Sequence, residues 1–294
     1  MIFRHAVRAL AVSLFLLNAA VAEEKTLYQK LSTFSNIIVT EDEQGLRTMR
    51  FEVGGARQTV AKIDDPDHLE LAYSRSMPAA MTLVAEPKRA LIVGLGGGTI
   101  PRFLRKHFPQ LAIDVVEIDP DVVAVAKQFF GVQEDDKLRL FVDDGRQFIS
   151  RARSQYDIIF LDAFSADSIP YHLATREFLG EVRRALTEGG IVAANVWSSG
   201  SNRLYSSMIR TYEAAFPAVY LIDVAGSGNR IVLGLSKPEA IEREAFARRA
   251  TEMSKKTGMR LDLGESVKFG FRPVKDDGAD GRVLTDAAGR SRAG

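Results

Sequence analysis

The sequence predicts an α/β fold, in which a mainly parallel seven-stranded sheet ends in an antiparallel hairpin and follows a small antiparallel β domain. Five apolar runs between residues 90 and 196 alternate with helical patterns, as expected for a parallel sheet covered on both faces. Two further runs are joined only by residues 225–229, a link too short for a crossover helix, so that pair must be antiparallel.

The chain begins with a segment typical of a secretory signal peptide. Arg4 and Arg8 precede a short apolar run that ends in Ala20-Val21-Ala22, and this order predicts export, to the periplasm, with cleavage after Ala22. An uncleaved anchor or an ordinary N-terminal helix is the alternative. No other segment is apolar enough to span a membrane.

The remaining elements predict three regions, residues 23–86, 87–240 and 241–294. The first holds a β meander over 36–63, because apolar and polar residues alternate around Met49, Phe51 and Val53. A linking helix over 67–81 follows the meander. The second is the Rossmann-like, nucleoside-binding catalytic domain. The third holds an amphipathic helix over 238–256 and a loose tail. The predicted strands of the second region are 90–95, 113–118, 138–142, 158–162, 191–196, 219–224 and 231–235, and its helices include 120–130 and 176–186.

A parallel sheet closed by an antiparallel hairpin is typical of the Rossmann-like fold of S-adenosylmethionine-dependent methyltransferases, and differs from the usual nicotinamide domain. The composition fits a globular protein, since 39 lysines and arginines balance 38 acidic residues and the net charge is +1. Such a balance gives no sign of a nucleic-acid partner. The chain has no cysteine, which excludes disulfides and thiolate chemistry. The oligomeric state stays open, a homodimer included.

A glycine turn between strand and helix is the strongest sign of a ligand. Gly94, Gly96 and Gly98 follow the apolar run 90–93 and precede a helical pattern, so the backbone can approach a ligand closely beside a helix N-terminus. Glu117 ends the next strand, about 20 residues on, where an acid can accept both hydroxyls of a ribose. The pattern predicts a nucleoside-containing ligand.

Two further acids follow strands of the same sheet. Asp144 is placed to accept from an adenine amino group, and Asp162 lies opposite, near the reacting centre of the ligand. A row of carboxylates suits a cationic sulfonium donor or a polyamine. A strand-end acid can equally be only a helix cap, and this alternative stays open for all three.

Other chemistries lack their motifs. The glycine turn has no Lys-Ser/Thr ending, which argues against a kinase or an ATPase, and the histidines show no metal-ligand spacing, so no metal site is expected. His107 is expected to be a surface or capping residue, and Trp197 to be core or pocket wall.

Four segments resemble the spermidine synthase family (polyamine aminopropyltransferases) in order and spacing. They are ALIVGLGGGTIPRFLRKH, VVEIDPDVV, VDDGRQF and YDIIFLDAF, and GGARQ matches the family's buried glutamine at Gln58. The resemblance covers residues 27–235, with an echo at VLTD (283–286). It implies that Glu117 and Asp144 hold the nucleoside of decarboxylated S-adenosylmethionine, that Gln58 also belongs to the binding site, and that Asp162 deprotonates the attacking amine.

Departures from the family pattern leave three hypotheses. Gly97 stands where the family has an acid for the donor's ammonium, and His68-Leu69 and Phe34-Ser35 replace family substrate positions. The first hypothesis is a spermidine synthase-like transferase of aminopropyl groups to a polyamine. The second is a methyltransferase that uses intact S-adenosylmethionine, and the third is an exported nucleoside-binding protein without turnover. In each case the donor is a small-molecule co-substrate or ligand, and no tightly bound cofactor is expected.

Overall fold

The computed structural model describes residues 24–164 and 169–290. The predicted signal peptide lies outside the described residues.

The N-terminal sheet has four described strands, all antiparallel, in the order β1-β2-β3-β4. Their bounds are β1 Lys25–Leu31, β2 Asn36–Glu41, β3 Leu46–Arg50 and β4 Arg57–Lys62. The sequence pattern indicated the last three but not β1. Ile37 and Met49 pack against Val122, Val125 and Phe130 of the main domain. The N-terminal sheet therefore lies on the same side of the molecule as the glycine turn and contacts it.

The large sheet has eight described strands, in the order β12-β10-β11-β9-β8-β5-β6-β7. The five central and edge strands β9, β8, β5, β6 and β7 are parallel, and β11, β10 and β12 continue the sheet antiparallel. The bounds are β5 Arg89–Val93, β6 Ala112–Glu117, β7 Leu138–Val142, β8 Tyr156–Leu161, β9 Leu186–Trp197, β10 Ala218–Asp223, β11 Asn229–Leu235 and β12 Phe271–Pro273. The predicted fold class is confirmed, with one strand more than expected.

Helices cover both faces of this sheet, and each face has its own cluster of buried apolar residues. The helices are α1 Ala72–Ser76, α2 Thr99–His107, α3 Pro120–Phe129, α4 Gly145–Arg151, α5 Arg176–Ala185, α6 Tyr205–Ala215, α7 Arg243–Thr257, α8 Leu263–Gly270 and α9 Asp286–Arg290. Side-chain caps start several of them. Asp119 accepts from the Asp121 N–H before α3, and Asp144 from the Gln147 N–H before α4. Both caps therefore orient the ends of strands that carry candidate residues.

Two helical predictions differ from the structure. The linking helix expected over 67–81 is a short α1 followed by a 3₁₀ turn at Met77–Leu83. Pro78 lacks the N–H that a continuing α-helix requires, which explains the change. The amphipathic helix expected over 238–256 is α7, which begins only at Arg243 and ends at Thr257. Gly258 caps it in a left-handed conformation (φ +68°).

The C-terminal segment is not a loose tail. Leu263, Val267 and Phe271 recur every four residues and are all buried, forming α8 and then β12 on the edge of the large sheet. This apolar spacing was hidden by the surrounding glycines and charges. Further on, Leu284 is buried, and its N–H donates to Thr211 Oγ1 at 2.9 Å.

His107 is not a surface residue. It is 7% exposed, its ring packs on Phe103, and its ring nitrogens contact Asp67 and the Thr257 carbonyl. It therefore joins α2 to the turn that precedes α1 and to the end of α7.

Candidate active site

A cleft opens at the carboxyl ends of β5, β6 and β8, under the N-terminal sheet. It encloses about 890 Å³ of empty space, including the open solvent at its mouth. The sequence-predicted residues that line it are Gln58, Gly94, Gly96, Glu117, Asp144 and Asp162. The fold therefore brings together acids that are up to 45 positions apart in sequence, as the strand order requires.

The glycine turn is built for close backbone approaches. Gly94 has φ +95°, and a Cβ there would lie 2.4 Å from the Asp162 carbonyl oxygen, so only glycine lets β5 and the end of β8 meet. Gly98 has φ +73° and caps α2, but it is not part of the cleft lining. A Cβ at Gly98 would meet Val132 Cγ2 at 2.4 Å, so this glycine serves packing.

Gly97 is packed so closely that it leaves no room for a side chain. The Gly97 N–H donates to Thr59 Oγ1 at 2.8 Å. A side chain at position 97 would begin 2.6 Å from Thr59 Cγ2 and 2.8 Å from Phe130 Cδ1. The space for an acidic side chain is therefore filled by Thr59 of the N-terminal sheet and by Phe130, which follows α3.

Glu117 holds the glycine turn while facing the cleft. Its Oε2 accepts from the Leu95 N–H at 2.9 Å, and its Oε1 accepts from the Asp119 N–H at 3.1 Å. Burial raises the pKa of this carboxyl, while the backbone donors act in the opposite direction. Each oxygen makes one of these bonds and retains capacity to accept a further one, which is the requirement for holding two vicinal hydroxyls.

Asp144 combines a cap with a place in the cleft. Its Oδ1 accepts from the Gln147 N–H at 2.9 Å, and its Oδ2 lies 3.1 Å from His172 Nε2. The helix-cap alternative is therefore correct for one oxygen. The other oxygen faces His172, which also lines the cleft and which the sequence patterns did not single out.

Asp162 lies at the centre of a hydrogen-bonded chain of side chains. The Tyr73 hydroxyl donates to its Oδ2 at 3.0 Å, and Asn195 Nδ2 donates to its Oδ1 at 3.0 Å. Asn195 is 2% exposed, and its own oxygen accepts from Asn229 Nδ2 at 2.9 Å, so its orientation is fixed. Burial raises the pKa of Asp162 to about 6, although both donors lower it.

A second cavity, which encloses about 860 Å³ of empty space including the open solvent at its mouth, adjoins the cleft. Gln58, Tyr73 and Phe164 line both spaces, so the two meet beside Asp162. Asn195 and Trp197 form the sheet side of the second cavity, which confirms Trp197 as a pocket wall. Of this group, sequence reasoning missed Tyr73 and Asn195. Asn195 could have been found, because it too lies near the carboxyl end of a strand, where only acids were sought.

Residues 24–164 and 169–290 contain neither a cluster of metal-ligating side chains nor a helix that could span a membrane. No group of three or more histidines and acids is arranged there to hold a metal ion. No helix in those ranges is both long and apolar enough to cross a bilayer.

The fold and the cleft define a Rossmann-like α/β protein of the methyltransferase type, preceded by a small β domain. Residues 70–221 match the spermine/spermidine synthase domain. A polyamine aminopropyltransferase from Vibrio vulnificus is 34% identical over 236 residues, which are 76% of this chain and 76% of that protein. The chain belongs to the spermine/spermidine synthase family.

Solved structures agree with this fold. Spermidine synthase from Thermotoga maritima has a TM-score of 0.68 and 20% identity, covering 85% of this chain and 84% of that chain. Human methyltransferase-like protein 13 in complex with SAH has a TM-score of 0.54 and 28% identity, covering 70% of this chain and 96% of that chain. Membership of the family supports a transferase, and aminopropyl transfer is the reaction that the family supports.

Proposed function

We propose that this protein transfers an aminopropyl group from decarboxylated S-adenosylmethionine to an amine, with Asp162 as general base. A polyamine is the acceptor that the family resemblance suggests. The observation that carries the proposal is the position of Asp162 where the cleft and the second cavity meet, held by Tyr73 and Asn195. No tightly bound cofactor is part of the proposal.

The donor occupies the cleft in this proposal. Glu117 accepts the two ribose hydroxyls, Asp144 accepts from the adenine amino group, and the backbone at Gly94 and Gly96 approaches the ligand closely. Gln58 lines both spaces and so reaches donor and acceptor.

The acceptor approaches through the second cavity. The lone pair of its neutral amine attacks the methylene carbon beside the sulfonium, the carbon–sulfur bond breaks, and the electron pair stays on sulfur in methylthioadenosine. The proton of the new ammonium passes to Asp162. With its pKa raised to about 6, Asp162 is ionised at neutral pH and is a stronger base than an ordinary aspartate. Holding the two reactants in register supplies further rate.

The direct test incubates the purified protein with decarboxylated S-adenosylmethionine and a set of polyamines and measures methylthioadenosine together with the alkylated amine. Calorimetry with decarboxylated donor, intact donor and methylthioadenosine identifies which donor binds. Glu117→Ala tests the cleft, since it leaves two ligand hydroxyls unpaired at about 1–3 kcal/mol. Because it also removes the acceptor of the Leu95 and Asp119 N–H groups, its melting temperature is measured alongside its affinity. If none of the three ligands binds, the cleft is not a nucleoside-binding site.

Methyl transfer from intact S-adenosylmethionine is the second candidate function. Gly97 motivates it, because the intact donor carries a carboxylate beside its ammonium and needs a different partner from an acid at this position. The likeness to a methyltransferase that binds SAH points the same way. Tighter binding of the intact donor, with methylated product and no aminopropyl product, would select this function.

We also propose that the protein is exported and that the mature chain begins at Glu23. The proposal rests on the basic, apolar and Ala-x-Ala order of the first 22 residues. Intact-mass measurement of the protein from its native host tests it, and a retained Met1 in a cytosolic fraction would refute it.

A further inference from the structure

Asp144 makes one hydrogen bond more than its role as a helix cap requires. Its Oδ1 accepts from the Gln147 N–H at 2.9 Å, and this single bond is all that an N-cap needs. Its Oδ2 lies 3.1 Å from His172 Nε2. An ionised carboxylate can only accept, so the hydrogen of this second bond is on Nε2. One bond to each oxygen therefore fixes the plane of the carboxylate.

Both side chains of this pair line the cleft and are only partly covered. The Asp144 side chain is 29% exposed and the His172 side chain is 47% exposed. Because a carboxylate oxygen can accept two hydrogen bonds, each oxygen of Asp144 has capacity for one more. Asp144 therefore presents acceptors, in a fixed orientation, to a ligand in the cleft.

The backbone that carries His172 is held from two sides. Arg146 Nη1 donates to the His172 carbonyl oxygen at 3.3 Å, and the same guanidinium binds Asp286 through bonds of 2.8 and 2.7 Å. The Tyr171 hydroxyl donates to the Thr285 carbonyl oxygen at 3.2 Å. The C-terminal segment thus holds this short turn beside α4, and the imidazole extends from a fixed backbone.

We propose that His172 is a positioning residue that sets the choice of nucleobase, by orienting Asp144 to accept from the amino group of a 6-aminopurine. This inference rests on the donor site of the proposed function and specifies how that site selects its base. A 6-oxopurine has a carbonyl oxygen in place of the amino group, and two facing acceptors form no hydrogen bond and repel each other. The penalty is greatest when the acid cannot turn away from the wrong base, and His172 supplies that restraint.

Methylthioadenosine and methylthioinosine are the probes for this inference. They differ in the amino or oxo group at C6 and in the hydrogen that N1 carries in the oxo form. In calorimetry with the wild-type protein, methylthioadenosine should bind about tenfold or more tighter. The measurement needs neither an acceptor amine nor turnover. Equal affinities for the two nucleosides would overturn the inference.

Two substitutions of His172 separate its hydrogen bond from its volume. Glutamine can place an N–H donor where Nε2 lies, whereas leucine has a similar size and no donor. His172→Gln should keep the affinity ratio within about twofold of wild type, and His172→Leu should reduce it to about threefold or less. Melting temperatures of both variants show that the fold is retained. If His172→Leu keeps the wild-type ratio, or if both variants lose it equally, the inference is wrong.

Arg151→Gln is the matched control. Arg151 Nη2 binds Asp143 Oδ2, so it is the partner of the acid that directly precedes Asp144, and neither Arg151 nor Asp143 lines the cleft. This variant should leave the affinity ratio unchanged. If it reduces the ratio as much as His172→Leu does, loss of any partner at this end of the strand is sufficient, and the inference fails.

Asp144→Asn distinguishes failure of the inference from failure of the proposed donor site. Asparagine keeps the cap on the Gln147 N–H and can turn its own N–H toward a 6-oxo group, so the affinity ratio should fall. If Asp144→Asn loses the ratio while His172→Leu keeps it, the adenine assignment stands and only the role of His172 is refuted. If Asp144→Asn keeps the ratio, the base does not contact this acid, and the adenine assignment fails together with the inference.

Discussion

Asp162 is a carboxylate in a place that penalises its charge. Burial raises its pKa to about 6, above the ordinary value of 3.8, and hydrogen bonds from Tyr73 and Asn195 offset part of this penalty. As general base it must be ionised, so turnover should fall as the pH drops through about 6. A pH profile of kcat measures this directly.

Asp162→Asn separates the proton acceptor from the hydrogen bonds. Asparagine can still accept from Asn195 and can donate to the Tyr73 oxygen, so the hydrogen bonds between these side chains are retained. Turnover should fall by about 10²–10⁴, the usual contribution of a general base, with donor affinity little changed. Raising the pH should partly restore the rate, because more free amine is then present. Weaker donor binding without slower chemistry would make Asp162 a binding residue instead.

Asp162→Asn should lower turnover, but it should raise the stability of the folded protein at neutral pH. A carboxyl whose pKa is higher in the folded state costs stability once it is ionised, and this cost appears as the pH rises from about 4 to about 6. The melting temperature of Asp162→Asn relative to wild type should therefore rise through that window and stay level above it. Thermal melts at several pH values check the sign. A lower melting temperature at neutral pH would favour a purely structural role.

Asn195 acts through Asp162, as a positioning residue. Asn195→Leu keeps the approximate volume and removes the donor that lowers the pKa of Asp162. The acid limb of the kcat profile should move to higher pH by about one pH unit, because one hydrogen bond to a charged group is lost. Asn229→Ala removes the partner that orients Asn195, together with its contact to Ser227, and it should give a smaller shift in the same direction. An unchanged profile would mean that Asn195 only packs.

At the scale of elements, the sequence patterns were most informative where local chemistry is strict. The turn around Gly94 was predicted because its backbone conformation excludes other residues, and Glu117 because a parallel strand places its last side chain at the ligand edge. Tyr73 could not be found this way. It reaches Asp162 because the short α1, which ends at Ser76 before Pro78, lies against the sheet, and local periodicity does not encode this packing.

The N-terminal sheet helps to position the glycine turn. Thr59 of β4 is buried, and its hydroxyl accepts the Gly97 N–H. Thr59→Val leaves that N–H without its partner, so the free energy of unfolding should fall by about 1–3 kcal/mol and donor affinity should weaken as the turn relaxes. Urea unfolding and calorimetry measure the two effects. Thr48→Val, at a buried threonine of the neighbouring strand, is the control. Equal losses in both variants would show a general packing cost.

At the scale of the whole molecule, the C-terminal segment ties distant elements together. Asp286 accepts from Arg146 of α4 and from Thr175 at the start of α5. Asp277 accepts from Tyr205 of α6, Arg230 of β11 and Arg272 of β12. Composition alone suggested a loose tail, since charged and small residues dominate it. What the composition does not reveal is that its few acids meet arginines on elements that are remote in sequence.

Asp277 therefore provides a test of whether this segment stabilises the fold. Arg272, Tyr205 and Arg230 lower its pKa to about 2, from an ordinary value of 3.8. A depressed pKa contributes stability that is fully present above about pH 4 and is lost as the pH falls toward 2. Asp277→Asn should lower the melting temperature at neutral pH, and its difference from wild type should shrink through that acidic window. Asp276→Asn, at the exposed neighbouring acid, should change little at any pH. If both variants melt like wild type, the contacts of Asp277 do not stabilise the fold.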